Sequence, residues 1–591
     1  MSQLSGTAAE GTPILHQGGW YGNDLYAASF EGREKIVQML IDNGADVNAQ
    51  GGVYGNALQA ASDRGFAKIV QILLDNGADV NAQGGHFSNA LYAASFEGHE
   101  EIVHILLDKG ADVNAQGGDY GNALQAASFE GHEEIVQILV DKGADINAQG
   151  GVYGNALQAA STRGHEEIVQ ILLDKGADIN AQGGHYGNAL QAASYTGYEE
   201  IVQILVDNGA DVNAQGGQNG NALCAASNRG CEKIVQILLD NGADVNAQGG
   251  QNGNALYAAS YRRYEKIVQI LVDNGADVNA QGGYYGNALQ AASDRGFAKI
   301  VQILLDKGAD INAQGGHYGN ALQAASYTGY EEIVQILVDN GADVNAQGGQ
   351  NGNALCAASN RGCEKIVQIL LDNGADVNAQ GGQNGNALYA ASYRRYEKIV
   401  QILVDNGADV NAQGGDYGNA LCAASYTGYE EIVQILVDNG ADVNAQGGYY
   451  GNALCAASYK GYKEIVQILV DNGADVNAQG GYYGNALQAA SFEGHEEIVQ
   501  ILVDNGADVN AQGGVYGNAL YAASERGHEE IVQILLDNGA DINAKGGVYG
   551  NALQAASDRG FAKIVQILRK TGKRDHEEDH GESTFKRIKA K

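Results

Sequence analysis

Proline is nearly missing from this chain, with one residue, Pro13, in 591. A Pro-rich linker or polyproline segment is therefore excluded, and nothing in the sequence interrupts helices by that route. The six cysteines form no CxxC pair and are too few to staple so long a chain. Apolar runs end at pieces such as Ile-Leu-Leu, far short of the ~20 residues that span a bilayer. The opening "MSQLSGTAAEGTPILHQGG" has neither a basic start nor an apolar stretch, so it does not read as a secretory signal. Positive charge is scarce too. Lys and Arg number 35 against 71 Asp and Glu, a formal charge of −36 that argues against nucleic acid as the main partner. Together these absences point to a reducing, intracellular compartment, with no membrane partner.

Glycine, by contrast, is plentiful and periodic. The Asn that opens Asn-Ala-Leu (Asn-Asp-Leu in the first copy) falls at Asn23, Asn56, Asn89 and onward to Asn551. Every step is 33 residues, through seventeen copies without insertion, the signature of one unit stacked on its neighbours. In the copy beginning at Gly51, Asn56 is an N-cap, able to accept a hydrogen bond from the next turn's free N–H. "ALQAAS" follows as a short helix in which Ala60 and Ala61 permit close approach, and Gly65 turns the chain. "AKIVQILLDN" is the second helix. Its Ile69, Val70, Ile72, Leu73 and Leu74 form a stripe too broad for a lone surface helix, so it must be covered on two sides. Gly77 suits a left-handed C-cap, and "ADVNAQGG" runs out as a projecting loop.

The doubled glycine of that loop is not a ligand motif. A phosphate loop needs GxxxxGK[ST] between strand and helix, and no Lys-Ser or Lys-Thr follows here. Calcium-binding β-helix repeats have a nine-residue period, and "DNGADVN" lacks the final Glu and the sixth-position Gly of an EF-hand. The glycines read as backbone permits where the loop reverses. No cofactor or metal is expected.

"NALQAASDRGFAKIVQILLDNGADVNAQ" resembles an ankyrin repeat in its length, its paired alanines, its turn glycine, "IVxxLL" and "GADVNA". The resemblance covers about Gly18 to Lys570. It departs from the family where Thr-Pro-Leu-His is replaced by Asn-Ala-Leu and then Gln, Tyr or Cys, and where the usual glycine two before the cap is mostly Tyr. The wording is most similar to ankyrin arrays of filamentous fungi, which often form the recognition end of STAND-type NTPase receptors. The implied fold class is an all-α ankyrin solenoid of about seventeen helix-turn-helix-loop repeats. The implied function is protein binding through a concave groove lined by loop tips and the face of the first helix.

Variation against this frame is concentrated three and two residues before each cap Asn, and three, seven, eight and ten after it. All 32 tyrosines occupy these columns. Tyr two before the cap recurs in twelve copies and reads as loop-to-loop packing, whereas the column seven after the cap varies more and reads as partner contact. Cys224, Cys356, Cys422 and Cys455 alternate with Gln and Tyr in one column and read as fillers, not metal ligands. His99, His132, His165, His495 and His528 share a column with Phe, Tyr and Cys, so a catalytic role, which needs one oriented group, is not expected. Basic residues gather at the central turns, against Asp294 alone. The partner-binding set is therefore Tyr195, Tyr198, Tyr257, Tyr261, Arg262, Arg263, Tyr264, Tyr284, Tyr327, Tyr330, Tyr389, Tyr393, Arg394, Arg395 and Tyr396. Its chemistry suits a protein or peptide with an acidic-aromatic face. In "YRRY" an Arg holds the usual turn-glycine position, where left-handed backbone costs about 1 kcal/mol.

Ile168 to Gly283 is identical to Ile300 to Gly415, an offset of four repeats and the mark of a block duplication. Residues 1–17 read as a degraded repeat or cap, 18–570 as the array, and 571–591 as a charged, disordered tail. In that tail Lys573-Arg574 and Lys586-Arg587-Ile588-Lys589 resemble a two-part nuclear import signal, so the expected location is cytoplasmic or nuclear. The chain is expected to be a monomeric, non-enzymatic scaffold or adaptor. The other readings are the sensing arm of a STAND NTPase receptor and a spring-like spacer.

Overall fold

The computed structural model describes residues 22–251, 253–383 and 385–572. The expected remnant over 1–17, Tyr21 and the basic motifs of the tail lie outside these residues. The chain divides into two compact units, Met1–Ala288 and Leu289–Lys591, each taken over its described residues. Each unit is built from the same pair of antiparallel helices, and the fold class is the all-α repeat solenoid that the period implies. In the first unit one pair is Ala57–Asp63 with Ala67–Asp75, and in the second another is Ala321–Thr328 with Glu331–Asp339. The last helix covers 562–572, two residues past the expected end of the array.

Local chemistry starts and stops these helices as the sequence demands. Asn56 Oδ1 accepts from the Gln59 N–H at 2.9 Å, while Gln59 Oε1 accepts from the Asn56 N–H at 2.9 Å, a reciprocal capping box. Gly164, at φ 89°, ends its helix in the left-handed conformation that a side chain would resist. First helices pack on one another more closely than second helices do, because the paired alanines put no bulk between their backbones. Ile69, Val70 and Leu73 are fully buried, while Ile72 and Leu74 at the edges of the stripe are half-buried. Each full burial contributes about 1.5–3 kcal/mol.

The projecting loops are hairpins joined tip to tip. The Gly150 N–H donates to the Gly154 carbonyl at 2.7 Å, closing one hairpin. The Val152 N–H then donates to the Asp119 carbonyl at 3.1 Å, and the His185 N–H to the Val152 carbonyl at 3.0 Å. The recurring Asp-x-Asn, with Val or Ile in the middle, is a staple between repeats. Asn444 Nδ2 donates to the Gly473 carbonyl at 3.1 Å, and its Oδ1 accepts from the Asp475 N–H at 2.7 Å. Much of the acidic frame thus lies along exposed loops that stitch one repeat to the next. No helix among the described residues is long and apolar enough to cross a membrane.

Candidate partner-binding face

The column three after the cap corrects one expectation. Tyr257 and Tyr389, expected at the partner-binding face, are only 4% and 3% exposed. Their hydroxyls reach into the next loop and accept from the N–H groups of Tyr285 and Tyr417, each at 3.1 Å. Burial pushes the Tyr389 phenol up to about 12. Where Gln stands instead, as at Gln323, its amide donates to the Ala346 and Gly352 carbonyls at 2.9 and 3.1 Å. Cys356 reaches the same loop only through a weak Sγ contact with the Ala379 carbonyl at 4.0 Å. This column sets how each loop sits on its predecessor. Tyr257, Gln323, Cys356 and Tyr389 are closed off from the surface.

The columns two before and seven after the cap form runs of stacked aromatic rings. In the first unit rings follow one another from Phe30 to Tyr54 (5.6 Å), Phe87 (5.5 Å), Phe96 (5.5 Å), Tyr120 (5.6 Å), Phe129 (4.4 Å) and Tyr153 (4.7 Å). In the second unit a longer run begins at Tyr393 and Tyr417 (5.4 Å). It continues through Tyr426 (4.3 Å), Tyr450 (5.2 Å), Tyr459 (5.0 Å), Tyr483 (4.7 Å), Phe492 (5.5 Å) and Tyr516 (4.3 Å). Shorter pieces join Tyr186 to Tyr195, Tyr261 to Tyr285, and Tyr318 to Tyr327. Tyr195, Tyr261, Tyr327 and Tyr393 are half-buried members of these runs, presenting a ring edge rather than a whole side chain. At the loop tips, Tyr284, Tyr449 and Tyr482 stand out at 63%, 52% and 41% exposure.

Cations lie over these rings at a fixed spacing. Arg163 sits 4.7 Å from the Phe129 centroid, Arg229 4.9 Å from Tyr195, Arg361 4.8 Å from Tyr327 and Lys460 4.5 Å from Tyr426. In each case the cation follows the ring by 34 residues, one repeat plus one step. Arg262 and Arg394 instead donate through Nε to the buried Asn228 and Asn360 side chains at 3.1 and 2.9 Å. Arg263 and Arg395 are exposed, and both hold the expected left-handed backbone at φ 70°.

Ten residues after the cap, Tyr198, Tyr264, Tyr330 and Tyr396 open the second helices. The rings of Tyr198, Tyr264 and Tyr396 lie against the turn glycine of the preceding repeat, where an added Cβ on Gly164, Gly230 or Gly362 would meet them within 2.7 Å. Tyr198 and Tyr330 remain 37% and 39% exposed. In this column His99 Nε2 donates to the Asp63 carbonyl at 2.9 Å, and His495 Nε2 to that of Tyr459 at 3.1 Å. The histidines are turn packing.

In the second unit the face opens into a cleft of about 380 Å³, lined by Tyr393, Arg394, Arg395, Tyr426, Thr427, Lys460 and Tyr462. Burial works to raise the Tyr426 phenol, but hydrogen bonds from Tyr417 and Lys460 and the Lys460 charge outweigh it and hold the phenol below the usual tyrosine range. Sequence reasoning singled out Arg394 and Arg395 but left Tyr426, Thr427, Lys460 and Tyr462 outside the set. The 34-residue ring-to-cation spacing is the signal that could have found Tyr426 and Lys460; nothing in the sequence pattern marks Thr427 or Tyr462.

All six cysteines are free, and burial pushes the thiols of Cys224, Cys356, Cys422 and Cys455 up to about 12, which makes them poor nucleophiles and poor ligands. Among the described residues no three His, Cys, Asp or Glu side chains gather as a metal site would need.

With this geometry in view, a family model described as ankyrin repeats (three copies) matches the chain nine times. The matches cover residues 25–117, 59–150, 93–183, 124–216, 190–282, 283–348, 347–414, 421–513 and 487–580. No curated protein matches it.

Proposed function

The chain belongs to the ankyrin repeat family, whose repeats are generally protein-interaction modules, and from that premise we propose a non-enzymatic, monomeric array that grips a protein or peptide. The binding surface is the aromatic face: exposed tip tyrosines, the edges of the stacked rings and the arginines laid over them. One observation carries the reading. The aromatic and cationic columns that vary between repeats lie together on one side of each repeat, whereas the invariant Asp-x-Asn residues are used up in stapling. Tyr and Arg are the side chains that recognition surfaces favour. Against a formal charge of −36, locally basic turns suit an acidic-aromatic partner.

Free buried thiols fit a reducing compartment, cytoplasmic or nuclear. A sensing arm of a STAND-type NTPase, as in the fungal arrays the repeats resemble, would use the same face, and a Walker motif encoded in frame upstream would identify it. The test of binding is capture from the source cell's lysate by the full chain and by its R262E/R263E/R394E/R395E variant, with helicity checked by circular dichroism. Partners held by the parent should fall about tenfold or more with the variant. Unchanged capture would sink the reading and favour a spacer.

A further inference from the structure

We propose that the cleft between Arg395, Tyr426 and Lys460 receives a phosphomonoester carried on a peptide segment of the partner. The inference rests on the protein-binding reading and narrows it to a ligand chemistry.

Size comes first. At about 380 Å³ the cleft is at the small end of ligand sites, room for one side chain rather than a stretch of chain. Three successive repeats build it, contributing Tyr393 to Arg395, Tyr426 with Thr427, and Lys460 with Tyr462.

Charge decides the class. Two guanidinium groups and one ammonium line the cleft, and no carboxylate does. Among the described residues Arg394, Arg395 and Lys460 form no ion pair, although the molecule carries twice as many acids as bases. Glu397, Glu430 and Glu464 lie in the first turns of the second helices beside it but do not line it. Arg394 keeps its Nε on the Asn360 side chain, and three like charges lining one cleft without a counterion suit an anion of more than one charge. A phosphomonoester brings close to two charges and three acceptor oxygens, whereas a carboxylate brings one charge and two oxygens. The rings of Tyr393, Tyr426 and Tyr462 would flank the carrier side chain.

Backbone strain points to the same place. Arg395 holds φ 70° at a turn position that is glycine in fifteen of the seventeen repeats. Its guanidinium lies 5.6 Å from the Tyr429 centroid. The Tyr429 N–H lies 3.4 Å from its Ala424 acceptor, against 3.2 Å for the matching bond of Tyr198 and 3.1 Å for those of Tyr330 and Tyr462. An outlier of this kind, kept beside a charged cleft, is the sort of observation from which function is properly inferred. The duplicated Arg262-Arg263 pair shares the strain, but Asp294 and Thr328 stand where Tyr426 and Lys460 would. The full set of cleft residues therefore occurs once in the sequence.

The experiment is fluorescence anisotropy on the full chain with four degenerate peptide pools: phosphoserine-centred, phosphotyrosine-centred, and the same two unphosphorylated. Inorganic phosphate and a short single-stranded oligonucleotide serve as competitors. At least one phosphorylated pool should bind about tenfold more tightly than its unphosphorylated counterpart. Arg395→Gly should melt at a higher temperature, because glycine accepts φ 70° freely, and yet lose most of that preference; Lys460→Glu should lose it too. The control K109E/K142E/K175E, whose lysines pair with Asp75, Asp108 and Asp141 at the ends of second helices, should bind as the parent does. Equal binding with and without phosphate, displacement of the phosphorylated pool by the oligonucleotide but not by inorganic phosphate, or unchanged preference in Arg395→Gly would overturn the proposal. If the pools fail while the fourfold arginine reversal still abolishes lysate capture, the ligand class falls and the binding face stands. If both fail, both fall.

Discussion

Tyr389 and Tyr393 are four residues apart on one helix, yet only one is open to the surface. The first spends its hydroxyl on the Tyr417 N–H and is sealed in; the second lies half-open in the ring stack, 5.4 Å from Tyr417. The same contrast governs charge. Asp63 occupies the column of Tyr393 but is buried, and burial first, then the Glu97 charge, raises its carboxyl to about 6. Because the folded value lies above the unfolded one, the fold prefers the protonated form. Stability from this residue is complete below about pH 4 and is lost as pH rises through about 6. Asp63→Asn removes that loss, and Asn228 and Asn360 show that the amide fits the column. Melting midpoints from pH 4 to pH 8 should show the variant gaining on the parent across that window. A difference that does not change with pH would contradict this assignment.

At the scale of the element, a repeat is held to the next by side-chain amides as much as by apolar contact. Gln323 is the clearest case, since its Oε1 accepts from the Asn320 N–H at 3.0 Å while its Nε2 joins two carbonyls of the following loop. Gln323→Ala strands these buried groups, and the expected cost is about 2–4 kcal/mol in denaturant unfolding, against less than 1 for an exposed Gln such as Gln335. Equal costs at the two sites would mean that the amide stitches little. Helix pairs, caps and turns were legible before any coordinates. The 33-residue step is strict, and Asn56, Gly65 and Gly77 each mark a boundary by its own chemistry. The direction of Tyr257 and Tyr389 was not legible, because a column that alternates Gln, Tyr and Cys can face a partner or a neighbouring loop. Nor was the cleft, which three successive repeats build from residues about 34 apart.

For the whole molecule, an acidic frame of staples carries, in each unit, a face of stacked rings and overlying cations. Exposure along that face is uneven: Tyr284, Tyr449 and Tyr482 stand clear, the column of Tyr393 shows edges, and the column of Tyr389 is closed. Oxidative footprinting reads this ordering directly, because radical attack follows side-chain exposure. The decisive measurement compares the free chain with the chain carrying its captured partner. Protection should appear at Tyr284, Tyr449 or Tyr482 and at the edges of Tyr393 or Tyr426, while Tyr257 and Tyr389 stay unreactive in both states. Protection confined to the exposed surfaces of the second helices, with the tip tyrosines reacting as in the free chain, would contradict the assignment of the aromatic face as the binding surface.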